Sequence, residues 1–416
     1  MRNMALILLG ALALAALAGP GSAQTYVSFR DEWDRAHKAK IHFGPFSIIP
    51  SISLQDVGYD SNVYFESAAQ GDYTATLAPE ARVYWPLGSW ILLSARDTPA
   101  YSFYLNEKNR REFSNSYGFG AKILLFGSFV ATGGYQDDKL HHALSPEIGT
   151  LVTDETRSVD GGLAFETPSK TSLSLAVFQR DVFVENLALP GEPSLSSAFN
   201  RREKGMIVEF HYPMFSGSFF FLAADYTQYS FAFSGSTWRD SEAIDVSAGL
   251  RFPLTGRLTG TLALGYKKFT VTSGPFPGFA GLTGNSELDG RFGRFGVRLL
   301  YRRDNPFSFY QNVVYFIEND YGAGVSFYLT AFLRLDYNYD YSLGDYPQFF
   351  VTDPVTGADE TIRRRDQYST NSVGLVFRIF TNMGLGLTWN EIHWISTLPG
   401  WDRQRYFIGA TLSQRF

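Results

Sequence analysis

The stretch LRLDYNYDYS, residues 333–342, changes from apolar to polar at every step. Its leucines and tyrosines fall on one parity, whereas Arg334, Asp336 and Asp340 fall on the other. A strict period of two predicts a β-strand, because successive side chains of a strand point to opposite faces. The apolar face would meet a core in a soluble sheet. In a membrane barrel it would meet lipid, and the charged face would line a water-filled lumen.

The same alternation recurs along the chain and identifies the wet face. In 242–252, Ile244 and Val246 share one face, whereas Asp245 and Arg251 share the other. Further alternating segments are 73–85, 117–125 and 294–302. A Lys or Arg on the lipid face at mid-membrane costs about 2–4 kcal/mol, so several such charges would prevent insertion. The ionic face therefore surrounds water, and the oily face contacts lipid.

Two kinds of connection alternate between these segments. We predict tight turns at Pro86-Leu87-Gly88, Phe126-Gly127-Ser128, Pro168-Ser169-Lys170, Phe215-Ser216-Gly217, Leu254-Thr255-Gly256, Asp304-Asn305-Pro306 and Thr381-Asn382-Met383. Longer polar loops are predicted at 59–71, 106–111, 140–153, 186–200, 233–238, 271–289, 343–362 and 398–401. Short turns on the periplasmic side and long loops outside are typical of bacterial outer-membrane barrels. The pattern predicts an all-β, antiparallel, up-and-down transmembrane β-barrel of about 18 strands.

The strand count depends most on residues 307–331. We predict a short outer turn at 319–322 and a return near Thr330-Ala331, which contains neither Gly nor Pro. Losing this hairpin would give about 16 strands, and splitting another segment would give about 20, both allowed by the even-number rule.

Composition agrees with a barrel. The chain is 16% aromatic, with 37 Phe, 24 Tyr and 7 Trp, yet only 45% hydrophobic. Aromatic girdles around a polar lumen give this mixture. We assign Trp85, Trp90, Trp389 and Trp394 to the girdles, together with the tyrosine row of 337–341. The chain contains no Cys, which excludes disulfides, thiolate nucleophiles and Cys-based metal sites.

The N-terminus has the layout of a cleaved signal peptide over residues 1–23. Arg2 precedes an apolar run from Ala5 to Ala18, and Gly21-Ser22-Ala23 supplies a small-residue cleavage site. The polar segment 24–44 is predicted to be periplasmic, with room for one short helix, and 45–416 to be the barrel. Loss of Arg2 leaves 35 basic against 41 acidic residues, a net charge of −6 with no sign of nucleic-acid binding.

The C-terminal strand indicates the route of assembly. The chain ends in RYFIGATLSQRF, with Ile408, Leu412 and Phe416 on one face. This ending resembles the assembly signal of outer-membrane proteins, although Gln414 stands where an apolar residue is usual. We therefore predict the outer membrane of a Gram-negative cell as the location and the barrel-assembly machinery as a partner.

Two segments carry a family resemblance. Residues 47–83 contain an apolar strand, the turn Gly-Tyr-Asp-Ser-Asn-Val at 58–63, an acidic loop and a strand with Pro79 in its middle. A weaker echo follows in ETRSVDGGLAFETPSKTSLSLAVF, residues 155–178. This layout resembles the family called "putative beta-barrel porin 2". The resemblance implies a large porin associated with exopolysaccharide export, and it implies no catalytic residues.

Candidate catalytic and ligand-binding motifs are weak. His141-His142, beside Asp137 and Asp138, could bind a divalent cation or support hydrolysis, but a solvated outer loop would show the same residues. His393 and Ser396 have an odd separation, which places them on opposite faces and argues against a hydrolytic pair. The Gly-rich run 290–296 lies in a predicted strand, so phosphate binding is not indicated. We predict no enzyme activity, metal or cofactor.

The basic run 363–365 follows a long predicted outer loop. Such a run either contacts solvent and anionic lipopolysaccharide or attracts an anionic solute to the mouth.

The predicted lumen carries charges of both signs. Its candidate lining residues are Arg82, Lys122, Asp160, Asp225, Asp245, Arg251, Arg294, Arg298, Arg334, Asp336 and Arg378, with Glu80, Glu209, Lys267 and Asp340 also inward. Mixed signs favour internal ion pairs over a ring of one sign that would select ions. Such a lumen suits sugars, and the preferred function is a passage for a polar solute, a secreted polysaccharide in particular. The alternatives are a general or sugar-uptake porin, and a structural or adhesive barrel with binding loops.

The predicted partners follow from this location and function. They are the lipid bilayer, lipopolysaccharide and periplasmic polysaccharide-export proteins, and no nucleic acid.

Overall fold

The computed structural model describes residues 28–142, 147–148, 151–187, 194–252, 257–310, 313–347, 349–352, 359–398 and 400–416. Eighteen antiparallel strands form one closed barrel. They are β1 Phe46–Asp60, β2 Asp72–Leu87, β3 Ile91–Asp97 continued by Ala100–Tyr104, β4 Glu112–Leu125, β5 Phe129–His142, β6 Val152–Glu166, β7 Ser172–Val184, β8 Arg201–Pro213, β9 Phe219–Ser230, β10 Ser241–Phe252, β11 Leu258–Val271, β12 Phe279–Phe292, β13 Phe295–Asp304, β14 Ile317–Tyr328, β15 Leu333–Asp345, β16 Arg365–Phe380, β17 Met383–Ser396 and β18 Arg403–Arg415.

Each strand pairs with the next one along the chain, and β1 closes the ring by pairing with β18. The closing register runs from Ser51 opposite Arg415 to Asp60 opposite Phe407. Closure removes the sheet edges, so the ladder between every neighbouring pair of strands hydrogen-bonds backbone that has no water to bond in lipid. The predicted fold class and strand number are confirmed.

The two faces of the wall are those that the alternation predicts. Leu335, Tyr337 and Tyr339 of β15 are exposed on the outside, while Arg334 and Asp336 form an ion pair on the inside. In the other strands, too, large apolar side chains are exposed on the outer face, as at Leu264 and Leu282. The apolar parity faces outward and the ionic parity faces the lumen.

The region 271–331 contains three strands, as predicted, but at other positions. The predicted long loop 271–289 is wrong, because only 272–278 is loop and 279–292 forms β12. The tight turn lies at Gly293-Arg294, where Gly293 has a φ of +63°, and not at Asp304-Asn305-Pro306, which opens the loop 305–316. Residues 319–322 lie within β14 and form no turn. Glycines at 281, 284 and 290 interrupt the alternation of β12, which is why its pattern reads as loop.

Small elements accompany the wall. Besides the eighteen strands, the described chain contains the helices α1, Phe29–His37, and α2, Leu195–Phe199, the 3-10 turns Lys108–Arg110, Phe215–Gly217 and Thr237–Arg239, a short strand Ile41–Phe43 beside β1, and a hairpin of Phe349–Thr352 with Asp359–Ile362. In the part of the chain that the structure describes, no helix has the length and apolarity needed to cross a membrane. The predicted signal peptide 1–23 and the predicted turn Leu254-Thr255-Gly256 lie outside the described residues.

Trp394 corrects the predicted girdle. This side chain is fully buried inside the barrel, where it packs on Phe65 and Trp401, while Trp389 on the same strand is exposed on the outer face. The two tryptophans are five residues apart, an odd separation that already places them on opposite faces of β17. Trp85 and Trp90 are exposed beside the first tight turn, as a girdle requires.

We predict that Val246→Arg lowers the free energy of unfolding by about 2–4 kcal/mol, because Val246 is exposed on the lipid face midway along β10. The matched control is Ser247→Arg, the next residue on the lumen side, which should cost less because water can solvate the guanidinium. Urea unfolding in lipid vesicles, followed by tryptophan fluorescence, measures both. Equal losses would contradict the assignment of faces.

Candidate functional site: the lumen and its two ends

Charged side chains line the inner wall, and most of them are paired there. Arg82 Nε lies 2.6 Å from Glu80 Oε1, and Arg334 Nε lies 2.8 Å from Asp336 Oδ1. Arg298 reaches Asp340 at 3.6 Å, from a neighbouring part of the wall. These six side chains belong to three strands, β2, β13 and β15, and the pair Arg298–Asp340 links β13 to β15. Together the pairs neutralise much of the field in the lumen.

The predicted residues on β9 and β10 also have partners. Asp225 accepts a hydrogen bond from Thr227 Oγ1 at 2.7 Å, and Asp245 accepts one from Thr283 Oγ1 at 3.2 Å. Lys267, opposite Asp245 on β11, donates to Asp304 at 2.6 Å. This sector of the wall is a hydrogen-bonded network and not a ring of one charge.

The remaining predicted residues divide into inward and turn positions. Arg251 faces inward, 3.4 Å from His211 Nε2 and stacked on the Phe221 ring. Arg378 shares the inner parity of β16. Arg294 does not line the lumen, because it lies in the exposed turn between β12 and β13. The sequence pattern places this turn at 304–306, eleven residues too late, and therefore assigns Arg294 wrongly to a strand.

Glycines stand opposite inward polar side chains on the neighbouring strand. Gly134 pairs with Asp160, and Gly322 with Asp340. A Cβ added at either glycine would come within 2.6 or 2.4 Å of the carboxylate oxygen of its partner. Each carboxylate therefore lies over the glycine and along the wall, which keeps charged side chains out of the centre of the lumen.

Helix α1 occupies part of the tight-turn end. Phe29 and Ala36 are buried against apolar side chains of the inner wall, which are Tyr84, Leu92, Val130 and Ala164. Glu32 of the helix makes an ion pair with the predicted lumen residue Lys122 at 2.6 Å. The segment 24–44, predicted to be a periplasmic lead-in with room for one short helix, contains that helix at 29–37 and places it against the inner wall of the barrel.

At the long-loop end, the loop 305–316 folds inward; we call its described residues, 305–310 and 313–316, the plug loop. Its backbone closes on itself, with Ser308 N–H donating to Val314 O at 3.0 Å and Phe316 N–H donating to Pro306 O at 3.1 Å. Val314 and Tyr315 pack against inward side chains of β10 to β12, including Phe269. The plug loop therefore lies inside the wall at this end.

Arg239 holds the plug loop by its backbone. This guanidinium is fully buried and donates to four carbonyl oxygens. The acceptors are those of Tyr310 at 2.7 Å, Ala198 at 3.2 Å, Val313 at 3.3 Å and Ser308. One side chain from the β9–β10 loop thus connects the plug loop to α2.

Glu147 holds the plug loop by accepting hydrogen bonds from donors of that loop. Its carboxylate is buried and accepts hydrogen bonds from Ser308 Oγ at 2.8 Å and from the Phe309 N–H at 3.0 Å. Burial raises the pKa of Glu147 to about 7, opposed by the charge of Arg364 and by hydrogen bonds from Tyr346, Ser308 and the Phe309 N–H. The carboxyl therefore titrates near neutral pH.

The basic run 363–365 is not an exposed anion attractor as a whole. Arg364 is fully buried, makes a bidentate ion pair with Asp366 and stacks on Tyr310. Arg365 pairs with Asp345 at 2.8 Å, which leaves Arg363 as the exposed member. The alternation of strand β16 begins at Arg365. Arg364 precedes the strand, and its guanidinium lies over the rings of Tyr310 and Tyr346.

The Gly-Tyr-Asp-Ser-Asn-Val turn is structural. A Cβ at Gly58 would lie 2.0 Å from the Ile408 carbonyl oxygen, so only glycine fits against β18 there. Asp60 accepts from Arg405 Nε at 2.9 Å and from the Asn62 N–H at 3.0 Å. The turn then directs Phe65 inward onto Trp394.

The candidate chemical motifs remain apart. His142 pairs with Asp154 at 2.6 Å, and within the described residues no group of three potential metal ligands forms. Ser396 donates inward to Asp366, whereas His393 contacts Glu391 on the outer face. The Ser/His separation predicted from parity is confirmed.

Sequence reasoning did not identify Arg239, Glu147 or Glu32. All three lie outside the alternating strands, and each acts on a segment distant in sequence. The only hint is that Trp238-Arg239 places a cation beside a large aromatic residue in a loop.

A closed barrel with a polar inner wall, short turns at one end and long loops at the other defines an outer-membrane porin-type channel. The family model for putative beta-barrel porin 2 matches residues 172–416, and the chain belongs to this family. The resemblance is thereby confirmed, although its clearest motif, in 47–83, precedes the matched region. Porin-type families are channels rather than enzymes. A search of curated proteins found no match.

Solved structures share the fold at low sequence identity. The outer membrane protein OpdK of Pseudomonas aeruginosa is 10% identical, with a TM-score of 0.51 over 89% of this chain and 98% of that one. A BenF-like porin of Pseudomonas fluorescens Pf-5 is 11% identical, with a TM-score of 0.51 over 90% and 99%. OccAB3 of Acinetobacter baumannii is 13% identical, with a TM-score of 0.50 over 89% and 99%.

We predict that acidification stabilises the packed loops through Glu147. Because burial raises its pKa from 4.5 to about 7, the packed state binds the proton more tightly than a released loop. The stabilisation from this group is complete below pH 4.5 and is lost as the pH rises through about 7; its upper limit is about 3 kcal/mol. Arg364, whose pKa is raised, and Arg239, whose pKa burial lowers to about 10, are the buried cations near this carboxyl and stay charged throughout this range.

The measurement is the free energy of unfolding at pH 8 and pH 5 for the wild type and Glu147→Gln. Other carboxyls contribute equally to both proteins and cancel in the comparison. The wild type should gain more on acidification than the variant. Identical pH dependence in the two proteins would rule out Glu147 as the titrating group.

Proposed function

We propose that the barrel is a passage for a polar, hydroxyl-rich solute, and that this solute is a polysaccharide secreted through the outer membrane. The observation that supports it best is the inner wall, where charges are paired and lie along the strands over glycines. Such a wall offers hydrogen bonds to a neutral solute without a strong field of one sign. The family resemblance supports the secretion role, and direction and energy would come from periplasmic partners.

A sugar-uptake or general porin is the second candidate. The plug loop favours this second candidate, because it fills part of the outer mouth. A mouth narrowed in this way admits small solutes more readily than a wide polymer. The porin OpdK of Pseudomonas aeruginosa has been solved with vanillate, which is a small solute of that protein.

Deleting the gene tests export directly. We expect surface polysaccharide to fall in the deletion strain and to return when the wild-type gene is restored. Unchanged surface polysaccharide would reject the export role and leave the uptake role to be tested by growth on limiting sugars.

We predict that Gly322→Phe reduces passage and that Ala323→Phe, its matched control, does not. Gly322 faces inward under Asp340, so a phenyl ring there displaces the carboxylate into the lumen, whereas Ala323 is exposed on the lipid face. Swelling of proteoliposomes in neutral sugars measures the effect. Equal swelling rates for both variants would show that solutes do not pass this part of the wall.

The partner predictions remain proposals. Phe416 directly follows β18, and its half-exposed side chain is accessible for contact with the assembly machinery. Lys204 and Lys268 are exposed on the outer face near the long-loop ends of β8 and β11, where they could meet lipopolysaccharide phosphates. Residues 1–23 keep their prediction as an export signal.

A further inference from the structure

We propose that the plug loop is the size-selecting constriction of the passage, and that Arg239 and Glu147 are the residues that position it. This inference rests on the proposed function, because a constriction has meaning only if solutes pass.

The plug loop is buried to a degree that loops seldom are. Connecting segments normally run over the surface, where water satisfies their backbone. Here Ser308, Phe309 and Phe316 are almost completely inaccessible, as are the other described residues of the loop except Pro306 and Phe307. Its backbone groups need partners from the protein, and the flanking loops supply them.

The positioning groups approach the loop with opposite chemistry. Arg239 contributes donors to the carbonyls of Ser308, Tyr310 and Val313, and Glu147 contributes acceptors to a hydroxyl and an N–H. A guanidinium has five donors and no acceptor, whereas a carboxylate only accepts, so neither can replace the other. Together they satisfy the loop backbone from both sides and fix its position.

A buried guanidinium is an expensive way to hold a loop if stability is the only gain. Well-packed apolar residues would stabilise the mouth at lower cost in desolvation, whereas charged donors specify one arrangement. Arg239 binds carbonyl oxygens and no carboxylate among its described contacts, so it fixes the path of the backbone independently of the side chains of the loop.

The position of the loop places it in the path of solutes. Phe307 and Tyr315 form a bridge within the loop, and their rings pack on Phe269 from the inner wall. On the other side, Phe309 and Tyr310 pack with α2, Tyr346 and the outer loops. A solute moving along the lumen therefore meets this loop at the outer mouth.

The test compares Arg239→Gln with the matched control Arg202→Gln. Arg202 is an exposed arginine that pairs with Asp181 and does not touch the plug loop. Proteoliposome swelling is measured with neutral oligosaccharides of increasing length. We expect Arg239→Gln to admit oligosaccharides that the wild type excludes, and Arg202→Gln to keep the wild-type limit. Glu147→Ala, which removes the acceptors, should raise the limit in the same direction.

A second measurement reports the loop itself. Because the chain has no Cys, Val313→Cys introduces a single thiol at a buried position of the loop, and Ala232→Cys supplies an exposed control. We expect the thiol at 313 to be protected from a bulky maleimide in the otherwise wild-type protein and to become labelled when Arg239→Gln is added. Heat-modifiable mobility on gels confirms that each variant is folded.

The outcomes separate the two proposals. Release of the loop with an unchanged size limit overturns the constriction while leaving the passage intact. Continued protection of the thiol at 313 in both Arg239→Gln and Glu147→Ala overturns their positioning role. A folded protein that admits no solute even after the loop is released rejects the proposed function itself.

Discussion

The structure depends on the pairing of backbone N–H and C=O groups in a medium that offers no water. In hydrocarbon each unpaired group costs several kcal/mol, and a sheet avoids this cost only by closing on itself. The pairing of β1 with β18 completes that closure. Once the ring is closed, each strand has one face toward lipid and one toward water, and the inward-facing ionic residues of the strands share a single aqueous compartment.

That compartment explains the character of the inner wall. Charges that would be costly in lipid find partners on the inner wall, as Arg298 of β13 does with Asp340 of β15, and the glycine opposite a carboxylate gives it room to lie flat. The result is a hydrated surface rich in hydrogen-bonding groups and without a dominant charge. The two ends of the barrel differ from the polar wall between them, because α1 at one end and the plug loop at the other bury apolar side chains inside the wall.

Much of this could be predicted from the sequence, and the failures have physical causes. The prediction of 18 strands survives although the strands between 271 and 331 are misplaced, because glycines weaken the alternation of β12 and Asn305-Pro306 resembles a turn. Arg294 was assigned to the lumen through that displacement. Trp394 was assigned to the girdle on residue type, although its parity places it inside.

The sequence by itself determined the orientation of the wall. Alternation is a local pattern, and each side chain responds separately to lipid or water, so its face follows without knowledge of distant residues. Only the tertiary structure decided what occupies the two ends. Arg239 contacts backbone 41 to 74 residues away, and Glu147 reaches residues 161 and 162 positions along the chain. Such contacts arise because closure brings remote loops to one rim, and no local period records them.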